Sequence, residues 1–245
     1  MKTKKAAKDM SVAELAAYID QSVLKPEFTQ EEIRKYIQEG IDYGCRTVCV
    51  NPASLDIASK LTEGTFTKIC VVCDFPFGVS TTASKIIQAE EYCKRGDIFE
   101  LDVVANYGWI RSEMWNEVKA DIQAVCDVCH KYETKVKVIL ETDALTVEQI
   151  KKATEVVIQA GADFVKTSTG FFTGGKSDGA TEEVIGAMLE IAKDRCMLKG
   201  SGGIRTREYF LKLIDMGIDR MGIGYKSTPI VLGVSEENPD NEETY

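Results

Sequence analysis

The feature that most constrains this 245-residue chain is a regular alternation of short β-branched runs with helix-length segments. Apolar runs with strand character fall at 46–50, 68–75, 98–104, 135–140, 163–167, 196–199 and 219–222, and residues 18–21 supply an eighth. Their mean spacing is about 29 residues, close to one strand–helix step. The intervening segments carry helix signals. Thr29-Gln30-Glu31-Glu32 is a capping box opening a helix that runs towards Gly44, and Thr146-Val147-Glu148-Gln149 opens another that closes near Gly161. Ser11-Val12-Ala13-Glu14 caps an extra N-terminal helix over residues 10–17. Strand-then-helix alternation builds right-handed βαβ units and a parallel sheet. Eight such units in roughly 250 residues make an α/β fold of the (β/α)8 or TIM-barrel type. A doubly wound open sheet is the competing architecture. It would be favoured by a Gly-rich phosphate fingerprint after the first strand, which this sequence lacks.

Nothing in the composition splits the chain, so a single domain over residues 1–245 is expected, with an acidic, mobile tail at 234–245. Thirty Lys and Arg against 39 Asp and Glu give a net charge of −9, which argues against nucleic-acid or anionic-membrane binding. Glu14 and Asp20 interrupt the segment after the basic start, so no export-type apolar region forms, and no run is long enough to span a membrane. A cytoplasmic protein with reduced thiols is expected.

One histidine in the whole chain removes His-rich metal sites and any triad or dyad chemistry that would need a second ring. Chemistry is left mainly to Lys, Asp, Glu, Cys and water. Among eight cysteines, Cys70 and Cys73 fall on opposite faces of a strand and are not expected to share a metal. Cys126-Asp127-Val128-Cys129-His130 matches the haem-attachment pattern, yet it ends an amphipathic helix (Val118, Ile122, Val125, Cys126, Cys129) and reads as packing.

In a (β/α)8 barrel, catalytic groups sit at the C-terminal ends of the strands. Polar residues interrupt the apolar runs there: Asp20, Asn51, Asp74, Asp102, Glu141 with Thr142, Lys166 with Thr167, and Lys199. Lys166 and Lys199 lie near the ends of consecutive strands. One reading is that proximity and desolvation lower a lysine pKa enough for a Schiff-base nucleophile, with Asp102 and Asp20 as proton carriers; the other is that each lysine pairs with an acid. Lys199-Gly200-Ser201-Gly202-Gly203-Ile204-Arg205 then runs from a strand into a Gly-rich turn before a helix, where a phosphate can meet backbone N–H groups, and Gly170 with Gly174-Gly175 would widen the cradle.

Motifs from Tyr18 to Lys226 resemble those of deoxyribose-phosphate aldolases, class I aldolases of (β/α)8 fold. They are Ile19-Asp20-Gln21-Ser22-Val23-Leu24-Lys25-Pro26, Val48-Cys49-Val50-Asn51-Pro52, Phe75-Pro76-Phe77-Gly78, Glu100-Leu101-Asp102-Val103-Val104 and Lys137-Val138-Ile139-Leu140-Glu141-Thr142. Then come Gly161-Ala162-Asp163-Phe164-Val165-Lys166-Thr167-Ser168-Thr169-Gly170-Phe171, the Lys199 turn through Thr206, and Gly217-Ile218-Asp219-Arg220-Met221-Gly222. The resemblance implies that Lys166 forms the Schiff base, Lys199 tunes it and Asp102 relays protons. It implies substrate contacts from Asp20, Ser22, Cys49, Thr167, Gly170, Ser201, Gly202, Gly203, Arg205, Gly222 and Gly224. It also implies aldehyde and sugar-phosphate substrates, no metal or organic cofactor, and a homodimer.

Several positions depart from the family pattern. Gln21-Ser22 stands where His-Thr is usual, and Asp74 precedes the Phe-Pro motif, either repelling an anionic substrate or pairing with a lysine. Gly222-Ile223-Gly224-Tyr225-Lys226-Ser227 replaces a Gly-Thr-Ser phosphate loop, so Tyr225 would occlude the site or Lys226 would restore its charge. Lys176-Ser177-Asp178-Gly179 looks inserted. Tyr245 is considered as a residue folding over the mouth, against a solubilising tail. Three functions follow: cleavage of 2-deoxyribose 5-phosphate, the same chemistry on another or unphosphorylated aldehyde, and a non-catalytic sugar-phosphate-binding barrel.

Overall fold

The structure, a computed structural model, describes residues 5–235. Eight parallel strands close into a barrel in sequence order, β1-β2-β3-β4-β5-β6-β7-β8. They are β1 (Ile19–Val23), β2 (Thr47–Val50), β3 (Lys68–Cys73), β4 (Ile98–Val104), β5 (Lys135–Ile139), β6 (Phe164–Lys166), β7 (Met197–Ser201) and β8 (Arg220–Gly224). The helices are α1 (Val12–Ala16), α2 (Gln30–Asp42), α3 (Leu55–Thr62), α4 (Thr82–Cys93), α5 (Tyr107–Arg111), α6 (Trp115–His130), α7 (Val147–Gln159), α8 (Glu182–Ala192), α9 (Arg207–Met216) and α10 (Thr228–Leu232). Closure comes from β1 pairing with β8, Asp20 opposite Gly222 and Ser22 opposite Gly224.

All three capping boxes form, at Ser11/Glu14, Thr29/Glu32 and Thr146/Gln149. The N-terminal helix is shorter than expected. A 3-10 turn, Ala7–Asp9, precedes it and docks on α9 through the Ala7 amide and the Asp215 carboxylate at 2.8 Å. The tail at 236–245, with Tyr245, lies outside the described residues. Among the described residues no helix is long and apolar enough to cross a membrane.

Strand periodicity sorts the side chains into two environments. Val48, Val50, Val71, Leu101, Val103, Val136, Val138, Val165, Leu198 and Met221 join the main apolar core that the helices cover. The alternate positions point into the barrel, and there charged residues gather on β1 and on β4 to β8. Several strand ends differ from expectation for local reasons. Asp74 and Glu141 take left-handed conformations (φ 50° and 58°), which stops β3 and β5 just before them. The Asp163 and Asp219 carboxylates accept the Val136 and Leu198 amides, each at 2.9 Å, so side chains take ladder positions and β6 and β8 begin one residue later. β1, β7 and β8 each run two residues further than expected, carrying Ser22, Ser201 and Gly224 into the barrel wall.

Candidate active site

Asp102, near the end of β4, is the hub of the barrel interior. Its Oδ2 lies 2.9 Å from Lys166 Nζ and 2.8 Å from Lys199 Nζ, while Oδ1 lies 2.8 Å from Lys137 Nζ. The cluster extends towards the barrel floor. Lys199 also meets Asp20 Oδ2 at 2.6 Å, and Lys137 meets Glu100 Oε2 at 2.6 Å and Asp20 at 3.4 Å. Arg220 reaches Asp20 at 2.6 Å and Glu100 at 3.0 Å, with Phe164 beside it. All seven side chains are buried.

Both readings of the lysines hold in part: they are brought together, and each meets a carboxylate. The expected fall in lysine pKa does not occur at Lys199. Burial acts against its charge, but Asp102 and Asp20 outweigh burial and hold the pKa above the ordinary lysine value. Lys137 behaves the same way for the same reason. Burial pushes the Asp102 carboxyl up, but Lys137, Lys166 and Lys199 together carry it well below the usual range, and against the same effect of burial Arg220, Lys137 and Lys199 lower Asp20.

Lys137, Glu100 and Arg220 were not singled out from sequence. The signal was present, since Lys137 and Glu100 alternate with apolar residues as Lys166 does. These residues lie deeper in the barrel than the strand ends, where the polar breaks are most visible.

Other expected positions separate by role. Ser22, Cys49, Ser201 and Gly222 are buried on the inner wall above the charges. Thr167 acts as a latch between β6 and β7: its Oγ1 donates to Ser201 O at 2.8 Å and accepts the Ser201 amide at 2.9 Å. Asp20 lies at the floor as a partner of lysine and arginine. A Cβ at Gly222 would come 2.8 Å from Ser201 Oγ and 3.4 Å from Lys199 Cε, so glycine keeps this stretch of wall open. Gly202 and Gly203 have positive φ, and Gly203 lies so close to Asp178 O that a Cβ would sit 2.7 Å from it. The 176–179 segment makes this approach. It is held by Asp143 Oδ1, which accepts the Asp178 and Gly179 amides at 2.8 Å each. Those two glycines therefore also serve loop packing. Gly170 has φ 85° at the mouth, and Arg205 is half-buried just before α9.

The departures resolve individually. Gln21 points outward, its Nε2 donating to the Tyr36 carbonyl of α2. Asp74 accepts the Ser80 amide and hydroxyl at 2.9 and 2.7 Å and lies 3.7 Å from Lys85, so it pairs with a lysine as one reading held. Tyr225 does not occlude the mouth. Its ring stacks on Tyr36 at 3.8 Å and meets Phe28 edge-on at 5.4 Å, drawing the β8 loop towards α2. Cys73 faces the α4 side and Cys70 the interior, as their spacing required. Cys126 and Cys129 are buried on α6, and His130 pairs with Asp163 at 2.9 Å, which makes the haem-like pattern a packing surface.

The interior of the (β/α)8 barrel thus holds a buried lysine triad that shares one aspartate. Residues 14–228 match the DeoC/LacD family of aldolases. The chain belongs to that family. The deoxyribose-phosphate aldolase of Clostridium novyi is 42% identical over 224 residues, 91% of this chain and 98% of that one. The Thermococcus kodakarensis enzyme of the same name is 41% identical over 230 residues, covering 93% of this chain and all of its own. Among solved structures, the deoxyribose phosphate aldolase of Aeropyrum pernix, described as tetrameric, superposes with a TM-score of 0.80 at 30% identity over 91% of each chain. An aldolase designated QR15 superposes at 0.81, with 35% identity over 90% of this chain and 96% of that one. As a family aldolase, the chain is a lyase of TIM-barrel fold.

Proposed function

We propose that this aldolase reversibly cleaves 2-deoxy-D-ribose 5-phosphate to acetaldehyde and D-glyceraldehyde 3-phosphate through a Schiff base on Lys166. The observation that carries the assignment is the way ion pairs are distributed among the buried lysines of the described residues. Lys137, Lys166, Lys199 and Arg220 face Asp20, Glu100 and Asp102, four cations against three carboxylates. Lys137 has carboxylate contacts to three acids and Lys199 to two, whereas Lys166 has one, shared with Lys199. Lys166 is therefore the lysine least tied to acids, and forming an imine on its nitrogen disturbs the fewest ion pairs.

The amine of Lys166 attacks C1 of the open-chain sugar, and the carbinolamine loses water to give a protonated iminium. Removal of the C3 hydroxyl proton breaks the C2–C3 bond, and its electron pair moves towards the iminium nitrogen to leave an enamine. Glyceraldehyde 3-phosphate departs, C2 takes a proton, and water releases acetaldehyde. Asp102, with Lys199 beside it, is placed to pass these protons through a bound water. The phosphate falls to the turn after β7 and the end of β8, with Ser201, Gly202, Gly203, Arg205 and Gly224 as contacts; Ser22, Cys49, Thr167, Gly170 and Gly222 line or shape the wall. Assembly as a homodimer belongs to the same reading.

Borohydride trapping with acetaldehyde tests the assignment. The expected result is one reduced adduct on Lys166, lost in Lys166→Arg, which keeps the charge but offers no amine. An adduct on Lys137 or Lys199 instead, or none, refutes it. Comparing kcat/KM on deoxyribose 5-phosphate and free deoxyribose tests the substrate, and a ratio near one excludes phosphate recognition. The altered β8 loop is the observation behind the second reading, a Schiff-base aldolase for an unphosphorylated aldehyde.

A further inference from the structure

Cys49 on β2 and Cys70 on β3 are register partners, and both point into the barrel. The two sulfurs and a carboxylate oxygen of Asp102 all lie within 4.8 Å of one another, and Cys70 Sγ is 3.1 Å from Asp102 Oδ1. We propose that Cys49, Cys70 and Asp102 form a binding site for a thiophilic d10 cation of the zinc or cadmium class, and that its occupancy silences the lysine cluster. Only the inhibitory part rests on the aldolase reading; the binding site stands by itself.

The geometry suits such an ion. Metal–thiolate bonds near 2.3 Å and carboxylate bonds near 2.1 Å place tetrahedral ligands about 3.5–3.8 Å apart, a short closing movement for side chains already within reach. The donor set is soft, and two thiolates with one carboxylate select zinc or cadmium over magnesium or calcium. Binding replaces two S–H protons by one divalent ion, so the charge of the interior does not change.

The groups facing this site are Lys137, 3.2 Å from Cys70 Sγ, and the Lys166 and Lys199 ammonium groups on Asp102. Lys137 can yield, since Glu100 at 2.6 Å and Asp20 at 3.4 Å still neutralise it. Lys199 likewise keeps Asp20 at 2.6 Å. Among the described residues Lys166 forms an ion pair with Asp102 alone, so an ion on Asp102 takes away the carboxylate that holds the amine in place. The approach is from the mouth, where Leu24, Val72, Phe75 and Phe171 pack over the two sulfurs. Valines at 49 and 70 would fill the same volume; the sulfurs add ligands that face a carboxylate.

The test is titration of the reduced, metal-free full chain with cadmium chloride, read by the ultraviolet thiolate-to-metal charge-transfer band and by proton release. The expected result is one ion bound with about two protons released, and affinity lowered at least about tenfold in both Cys70→Val and Cys49→Ala. Aldol cleavage by the unaltered protein should fall with the same midpoint and return on chelation. A band unchanged in both variants overturns the site. So does a band lost in Cys93→Ala, which would place the ion on the Cys93–Cys129 pair, whose sulfurs are 3.7 Å apart. A normal band in a protein without aldolase activity would support the site and refute the proposed function instead.

Discussion

Single side chains in this barrel owe their behaviour to which carboxylate they meet. Glu141 shows the contrary case. Burial raises its pKa despite hydrogen bonds from the Thr169 amide and hydroxyl, so it is held where its charged form is disfavoured. Its contribution to stability is present below its ordinary pKa and is lost as pH rises through the raised value. Gly222 is a residue whose worth lies in a missing atom. Gly222→Ala should press Ser201 away from the wall and lower kcat/KM on the sugar phosphate by about tenfold or more, with the far-ultraviolet circular dichroism unchanged. Unchanged kinetics would remove Ser201 and Gly222 from the substrate wall. Lys166, Lys199 and Asp102 were legible as polar breaks in apolar runs. Lys137 and Arg220 followed the same alternation but sit deeper, so their meeting with Asp102, Asp20 and Glu100 depends on strand register.

Individual elements were the most legible level, because their signals are local. The capping boxes at Thr29 and Thr146 open helices where the sequence places them, each joining two otherwise unpaired amides to side chains. Strand ends were less legible where a side chain substitutes for backbone, as Asp163 and Asp219 do. A second buried ion pair joins elements outside the active site: Lys85 of α4 lies 2.7 Å from Asp121 of α6 and donates to the Val104 carbonyl at 3.1 Å. Thr82 completes Asp121 at 2.7 Å. Breaking the pair with Lys85→Met leaves buried Asp121 short of a cation and should cost about 3–5 kcal/mol in urea unfolding. Lys85→Met with Asp121→Leu should recover most of that loss; equal losses in the single and double variants would show that side-chain volume, not charge, is what matters there.

At the scale of the whole molecule, the interior cluster ties together β1, β4, β5, β6, β7 and β8, through Asp20, Glu100 with Asp102, Lys137, Lys166, Lys199 and Arg220. Asp20 and Asp102 have folded pKa values below their unfolded ones, so their contribution is complete above about pH 4 and is lost as pH falls further. Unfolding free energy should therefore drop below about pH 4 by about 1.4 kcal/mol per pH unit for each of the two carboxylates. Lys137 and Lys199 are raised, so their contribution persists at all lower pH and is lost only above about pH 10. Urea titrations across pH check this, and a loss centred near pH 6 would contradict ionised carboxylates in the cluster. By itself, the sequence determined the strand–helix repeat, the helix caps and the alternation that sends one set of side chains outward and the other inward, since each depends on residues a few positions apart. Only the tertiary structure decided that Lys199 keeps its charge, that Tyr225 stacks on Tyr36 rather than over the mouth, and that Cys49 and Cys70 face Asp102. Those outcomes depend on distances between residues far apart in the chain, which closure and strand register set.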